Sequence, residues 1–501
     1  AGTAGVGGDL HLYKLGYTAS STTGRALTIG ANVVDNGTGP VRLLLNNSDT
    51  PGSAYFANNT TTITSTGNAY TGGTVLNHGN VFLSGAGIIL PAGASQLAIV
   101  NPNIPTSGGQ FDNTVTVANA SAFKVGQAVS GVGIPAGTVI TAIDATTDPA
   151  NQVITLSNAL TSPIVGSGNT LTANSTVTLN VANLTLGAQG QVSSANRLVL
   201  NGQSTLTLVG NNSFAGLTLN NQGWNEGGWN GSTLASTPTG AVVSVGTGTL
   251  TLTEPLFATS QNAATISTIS GGVGGKLDLG GSTTAAINVA PIVLNGQNVA
   301  PWQPTLYISS LLSNFSLTAT AQMPISVTGG GVLSLGGQSV FSSDLTIAGG
   351  TGLHLNTSST QSGVGTVVSS GPVGVGRLVL NSGALLLSGA SANAIANAVL
   401  VKGDLTFGGF NNLALNGVTT LSSDSAHTLN VVVPNVSLTL GGVVTGAADL
   451  TKTGLGTLVL ANVLNDYSGR TVVTGGVLSV PTLRNGGINS SVDRKSTRLN
   501  S

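Results

Sequence analysis

Three aspartates, Asp404, Asp424 and Asp449, fall roughly one repeat apart in a chain with only 15 acidic residues among 501. Enzymes that cleave polysaccharides need paired carboxylates on one face, one of them raised in pKa to act as the acid. A column of aspartates on a coiled chain is one way to build such a pair. These carboxylates are single, however, and no Asp-Asp or Asp-Glu dipeptide reinforces them. They read as solvated turn residues. A second candidate is the loop Gly223-Trp-Asn-Glu-Gly-Gly-Trp-Asn-Gly231. Trp224 and Trp229 offer faces on which sugar rings stack, and Asn225, Glu226 and Asn230 offer hydrogen bonds to hydroxyls. The plainer reading is a loop folded over apolar surface. His11, His78, His354 and His427 lack metal-ligand spacing, and His78 and His354 read as surface positions. Gly271-Gly-Val-Gly-Gly-Lys276 lacks the Ser or Thr that a phosphate loop requires, since Leu277 follows the lysine. No cofactor is implied.

The elements that must position these groups are short strands. Gly supplies 73 residues, charged residues are only 6%, and mean hydropathy is +0.33. That combination excludes a disordered Gly/Ser linker and argues against long charged helices. The net charge of −1 and scattered basic residues exclude a nucleic-acid surface. There is no Cys, and no apolar run reaches the ~18–20 residues of a membrane span. Leu405, Leu413, Leu421 and Leu429 recur every eight residues, so three strands make a turn of roughly 22–25 residues, a parallel β-helix scale. Alternation along each strand sends apolar residues inward and Thr, Ser and Asn outward.

Self-similarity strengthens this reading. Gly454-Leu-Gly-Thr-Leu-Val-Leu460, Asn465-Asp-Tyr-Ser-Gly469 and Thr471-Val-Val-Thr-Gly-Gly-Val-Leu-Ser-Val480 form strand, aromatic turn, strand, glycine corner and strand. Tyr70–Leu83 aligns with Tyr467–Val480 without a gap, and further copies at 206–219 and 331–355 carry Phe214 and Phe341 in place of the tyrosine. Stacked turns must align like with like, whereas a β-sandwich has no reason to repeat such a corner.

These residues resemble the autotransporter-associated β-strand repeat, also called the passenger-associated transport repeat. Its pattern is matched by Gly454, Gly456, Leu458, Leu460, Tyr467, Gly469, Thr471, Val473, Gly476 and Leu478. Tyr70, Gly72, Thr74 and Gly79 match in the earlier copy. Ala461 and the extra residues before Asp466 depart from it. The resemblance implies a right-handed parallel β-helix on the bacterial surface, often a passenger carried by a C-terminal outer-membrane barrel. That barrel or another anchor is expected outside this sequence.

The expected organisation is a solenoid over 1–107, a small inserted β module over 108–172 around Val125-Gly-Gln-Ala-Val-Ser-Gly-Val-Gly-Ile-Pro-Ala-Gly-Thr-Val-Ile140, and solenoid again over 173–492. The last nine residues, 493–501, read as the in-frame translation of a sequencing adapter, which marks a metagenomic fragment whose native sequence stops near Val492. The expected function is a non-catalytic surface or secreted rod, structural or adhesive, with host or environmental glycans or surfaces as partners. The alternatives are a polysaccharide-acting β-helix enzyme, lyase or glycosidase, and a trimeric solenoid of the phage tail-fibre kind.

Overall fold

The computed structural model describes residues 7–14, 26–37, 39–47, 60–85, 90–91, 95–101, 112–117, 120, 123, 128–135, 138, 140–144, 152–161, 170–222, 240–280, 285–314, 323–362, 367–423 and 426–482. The loop with Trp224, Asn225, Glu226, Trp229 and Asn230, the residue Asp424 and the tail 493–501 lie outside them. The described residues are all β, built as a parallel solenoid. The chain divides into two compact units, 1–220 with 224–254, and 221–223 with 255–501.

In the first unit, a ladder of parallel strands runs from Gly8–Lys14 through Val41–Asn47, Thr74–Asn77, Thr176–Asn180 and Arg197–Asn201 to Gly216–Asn221. A second ladder takes the strands that follow each of these, such as Asn80–Leu83, Asn183–Leu186, Thr205–Thr207 and Val242–Ser244. A third side pairs Asn212–Phe214 with Thr249–Leu252. Alternation decides which residues enter the core: Thr74, Val177, Leu198 and Leu217 stack in one inward column and Leu76, Leu179, Leu200 and Leu219 in the next. All eight are at most 1% exposed. Each aliphatic side chain so buried contributes about 1.5–3 kcal/mol.

The first ladder skips directly from Thr74–Asn77 to Thr176–Asn180. Between them lies a six-stranded antiparallel sheet with its own core of Val115, Val117, Phe123, Ile140, Ile154 and Leu156. Its strands Ser95–Asn101 and Thr170–Asn174 pair with each other, so the bounds expected at 108–172 shift outward at both ends. The run Ser95–Asn101 is distinguished from a solenoid strand by its antiparallel partners.

The second unit repeats the plan. One ladder runs from Leu256–Ser260 to Val444–Gly446, another from Ser267–Ser270 to Thr471–Val473, and a third from Asn393–Ile395 to Val477–Ser479. The repeat motif proves to be one full turn. Thr457–Leu460 pairs with Val477–Ser479, so Leu458 meets Leu478 twenty residues on. Leu333 likewise meets Leu353, and in the first unit Ile63 meets Leu83. The motif-bearing turn is therefore shorter than the 22–25 residues expected; intervals of that size occur elsewhere, as from Leu405 to Leu429. The expectation that copies stack like on like is also corrected. In the second unit the copy at 331–355 begins and ends on the second ladder, and the copy at 454–480 begins and ends on the third. Each copy closes its own circuit, so its starting side is free to vary.

Candidate functional site

The aromatic of the motif is a core residue, with no surface chemistry. Tyr70 and Tyr467 are 0% and 1% exposed, and Phe214 and Phe341 are 0% and 2% exposed. Each tyrosine hydroxyl meets a threonine four residues on, Tyr70 Oη to Thr74 Oγ1 at 2.5 Å and Tyr467 Oη to Thr471 Oγ1 at 2.6 Å. Burial raises the pKa of both phenols, against a lowering effect of the threonine hydrogen bonds. Four residues after Phe341, Leu345 holds the motif position of Thr74 and Thr471, and after Phe214 it is Leu217 that takes the inward column of Thr74. Aromatic and partner change together, because a buried hydroxyl needs a partner.

The glycines of the motif serve close approach. A methyl group on Gly469 would sit 1.9 Å from the Ala448 carbonyl oxygen, and Gly454 and Gly476 have φ of +75° and +63°. Lys452 occupies an inward position in register with Leu429 and bridges these corners, its Nζ donating to the carbonyls of Thr453, Gly454 and Gly475 at 2.5, 2.9 and 3.0 Å. Burial lowers its pKa. Leu458 and Leu460 are buried, while Val473 is 39% exposed.

Another feature of the first unit is an amide ladder at one corner. Asn77, Asn180, Asn201 and Asn220 each donate Nδ2 to the Oδ1 of the asparagine one turn before, starting from Asn46, at 2.7–2.8 Å. The next residues His78, Val181 and Gly202 have φ of +58°, +49° and +65°. His78 thus serves the corner as a glycine would. The recurring Leu-Asn at the ends of these strands was the available sequence signal.

The two described aspartates of the column, Asp404 and Asp449, are each engaged separately. Asp404 Oδ1 accepts the Thr428 N–H at 2.8 Å. Asp449 accepts from the Arg470 backbone N–H at 2.6 Å and from its guanidinium at 3.0 and 2.9 Å. Those bonds hold the Asp449 carboxyl below its ordinary range, the opposite of what a general acid needs. Asp9–Arg42 and Asp344–Arg377 repeat the pairing at 2.7 Å. Arg197 and Glu254 form a further, buried ion pair; desolvation lowers the arginine's pKa and the Glu254 charge raises it.

The side chains that do converge gather around the excursion that follows the strand Ala286–Leu294. A hairpin joins Ala286–Leu294 to Gln297–Asn298, and Trp302 follows. Its floor is one outward column of the second ladder in the second unit: Tyr307, Ser334, His354, Leu387 and Gly408 stand in consecutive register. Trp302 reaches the far end of this column, where a methyl group on Gly408 would lie 3.4 Å from the indole. Trp302, Tyr307, Ser334, His354 and Leu387 line a cleft of about 380 Å³ with Gln303, Asn356, Phe410 and Asn411. Leu387 points outward by alternation yet is 1% exposed; Phe410 is 83% exposed. Asn411 donates Nδ2 to the Gly389 carbonyl at 2.9 Å and its N–H to Ser388 Oγ at 3.0 Å.

His354, expected on the open surface, is half-buried in this cleft. Its Nδ1 meets Ser334 Oγ at 2.9 Å, and desolvation lowers its pKa, keeping the ring neutral at pH 7. A Ser–His pair at that distance invites a nucleophile reading. Ser334 sits in mid-strand, in ladder register on both sides with Tyr307 and His354, so the flat strand does not aim free N–H groups at an oxyanion as acyl transfer requires. Neutral amides, hydroxyls and aromatic faces suit binding better than bond cleavage. In the first unit a shallower trough of about 540 Å³ lies over Thr60, Thr62, Thr185, Thr205 and Thr207.

The passenger-associated transport repeat model matches residues 198–223 and 450–480. Over 240 residues the chain is 32% identical to the adhesin BmaC autotransporter of Brucella suis biovar 1 (strain 1330), covering 45% of this chain and 7% of that protein. The chain thus corresponds to a small part of that relative's length. No solved structure matches it. Both findings agree with the expected kinship: the chain carries autotransporter passenger repeats on a β-solenoid.

Proposed function

We propose that this autotransporter passenger-repeat protein is a non-catalytic, adhesive rod segment displayed at the bacterial surface. The observation that carries the reading is the repeat itself, a closed twenty-residue turn whose motif positions serve stacking. Similarity to an adhesin autotransporter supports the adhesive part. At about 4.8 Å per step, the eight strands of the first ladder in the second unit extend it by roughly 35 Å. Growth by turns is how such a fold gains length without a larger core. Anchoring through an outer-membrane barrel outside this sequence belongs to the same proposal, as does display of glycan-binding surface along the flanks.

The test is surface display. The chain is fused to a heterologous autotransporter barrel and expressed on non-adherent cells, which are then counted on abiotic, mucin-coated and epithelial surfaces. Cells bearing the chain should retain at least severalfold more than cells bearing the barrel alone. Equal retention on every surface overturns the adhesive reading. Release of reducing ends or unsaturated sugars from a polysaccharide panel by purified chain overturns the non-catalytic one.

A further inference from the structure

The cleft between the Trp302 excursion and the outward column of the second unit has the chemistry of a ligand site. Among the described residues its lining contains no Asp, Glu, Lys or Arg, and its histidine, His354, is kept neutral by burial. A charged ligand would enter such a site without a partner for its charge, at a large desolvation cost. The polar groups present are amides and hydroxyls, which suit a neutral ligand rich in hydroxyls. The apolar groups include two aromatics: Trp302, whose indole packs against Gly408, and Phe410, which lines the same cleft at 83% exposure. Gly409, at φ +96°, sets that projection.

A cover for apolar surface accounts for Leu387 beneath the excursion but leaves Phe410 unexplained, since a cover should shield that ring as well. Sugar rings present apolar C–H faces to aromatic side chains and a rim of hydroxyls to amides. The volume of about 380 Å³ falls within the range of small-molecule sites. We infer that this cleft binds neutral glycans, with Trp302 and Phe410 as stacking platforms and Asn356, Asn411 and Gln303 reading the hydroxyls. The inference deepens the adhesive reading, on which it rests for its biological setting, but the binding itself is tested on purified protein.

The full chain is titrated by calorimetry with cellohexaose, mannohexaose, xylohexaose and hexameric N-acetylglucosamine, and with hyaluronan and oligogalacturonate as acidic probes. At least one neutral hexamer should bind, with the acidic probes at least tenfold weaker. Trp302→Ala should weaken that binding by tenfold or more. Phe410→Ser, at an exposed position that leaves folding intact, should weaken it severalfold; Val273→Ser, at a 96% exposed position, should leave it unchanged. With Trp224 and Trp229 replaced by Phe, the fluorescence of Trp302 should still respond to the ligand. Absence of binding to every neutral hexamer, preference for the acidic probes, or full affinity in Phe410→Ser and Trp302→Ala overturns the inference. Binding by purified chain with no gain in cell retention upholds the cleft and sinks the adhesive rod; retention without neutral-sugar binding does the reverse.

Discussion

Two turns of the second unit advance their ladders by the same single step with different means. Leu458 meets Leu478 after 20 residues, whereas Ile287 meets Val327 after 40. The short turn devotes its distinctive residues to closure: Tyr467 to the core, Gly469 and Gly476 to backbone approach, Thr471 to the phenol. The long turn adds a hairpin and Trp302, and there the cleft forms. The comparison teaches where variation is tolerated. Added length at a corner costs only slowly rising loop entropy, because neighbouring strands remain paired above and below. The candidate cleft lies on a turn that breaks the pattern.

The comparison can be broken first at the closing residues. Tyr467→Ala removes a fully buried aromatic and should destabilise the second unit by about 4 kcal/mol, read as a lower urea midpoint. A change below about 1 kcal/mol would mean the motif aromatic is not structural. Next in size, Tyr70→Phe leaves the fully buried Thr74 hydroxyl without its phenol partner and should cost about 1–2 kcal/mol. Adding Thr74→Val should recover most of that loss, reproducing the apolar pairing seen with Phe341 and Leu345. Failure of the second change to rescue would separate aromatic from partner.

The smallest effect concerns the decorated turn. His354 has its pKa lowered by burial, so folding favours its neutral form. The corresponding stability is present above the ordinary histidine pKa and is lost as pH falls through the window from there down to the folded value. The urea midpoint of the wild-type chain should therefore decline between pH 7.5 and 5.5 more steeply than that of His354→Asn. Parallel curves would show that the cleft does not discriminate against a charged ring.

The fold was legible because its determinants are local and repeated. Leu458 and Leu460, two apart, announce an inward strand face, and Gly469 and Gly476 announce corners. Lys452 was not legible, since alternation from Leu450 turns it inward but gives no sign that three carbonyls will surround its ammonium. Asp449 looked available for chemistry until Arg470, one turn away, occupied it. The candidate cleft was nearly invisible: its floor comes from Tyr307, Ser334, His354, Leu387 and Gly408, spread over about a hundred residues with no common residue type.

By itself, then, the sequence determined the inward and outward faces, the glycine corners, the passenger-repeat kinship and the lack of charge that argues against nucleic acid. These depend on spacing within a single turn, which alternation and backbone sterics fix. Only the tertiary structure decided which side of the coil each repeat copy begins on, where the antiparallel module joins, and which outward residues share a column. Those depend on the number of residues inserted between strands. Stacking selects pairing by apolar register and leaves intervening length unconstrained, so Trp302 could be carried to Gly408 without any local signal.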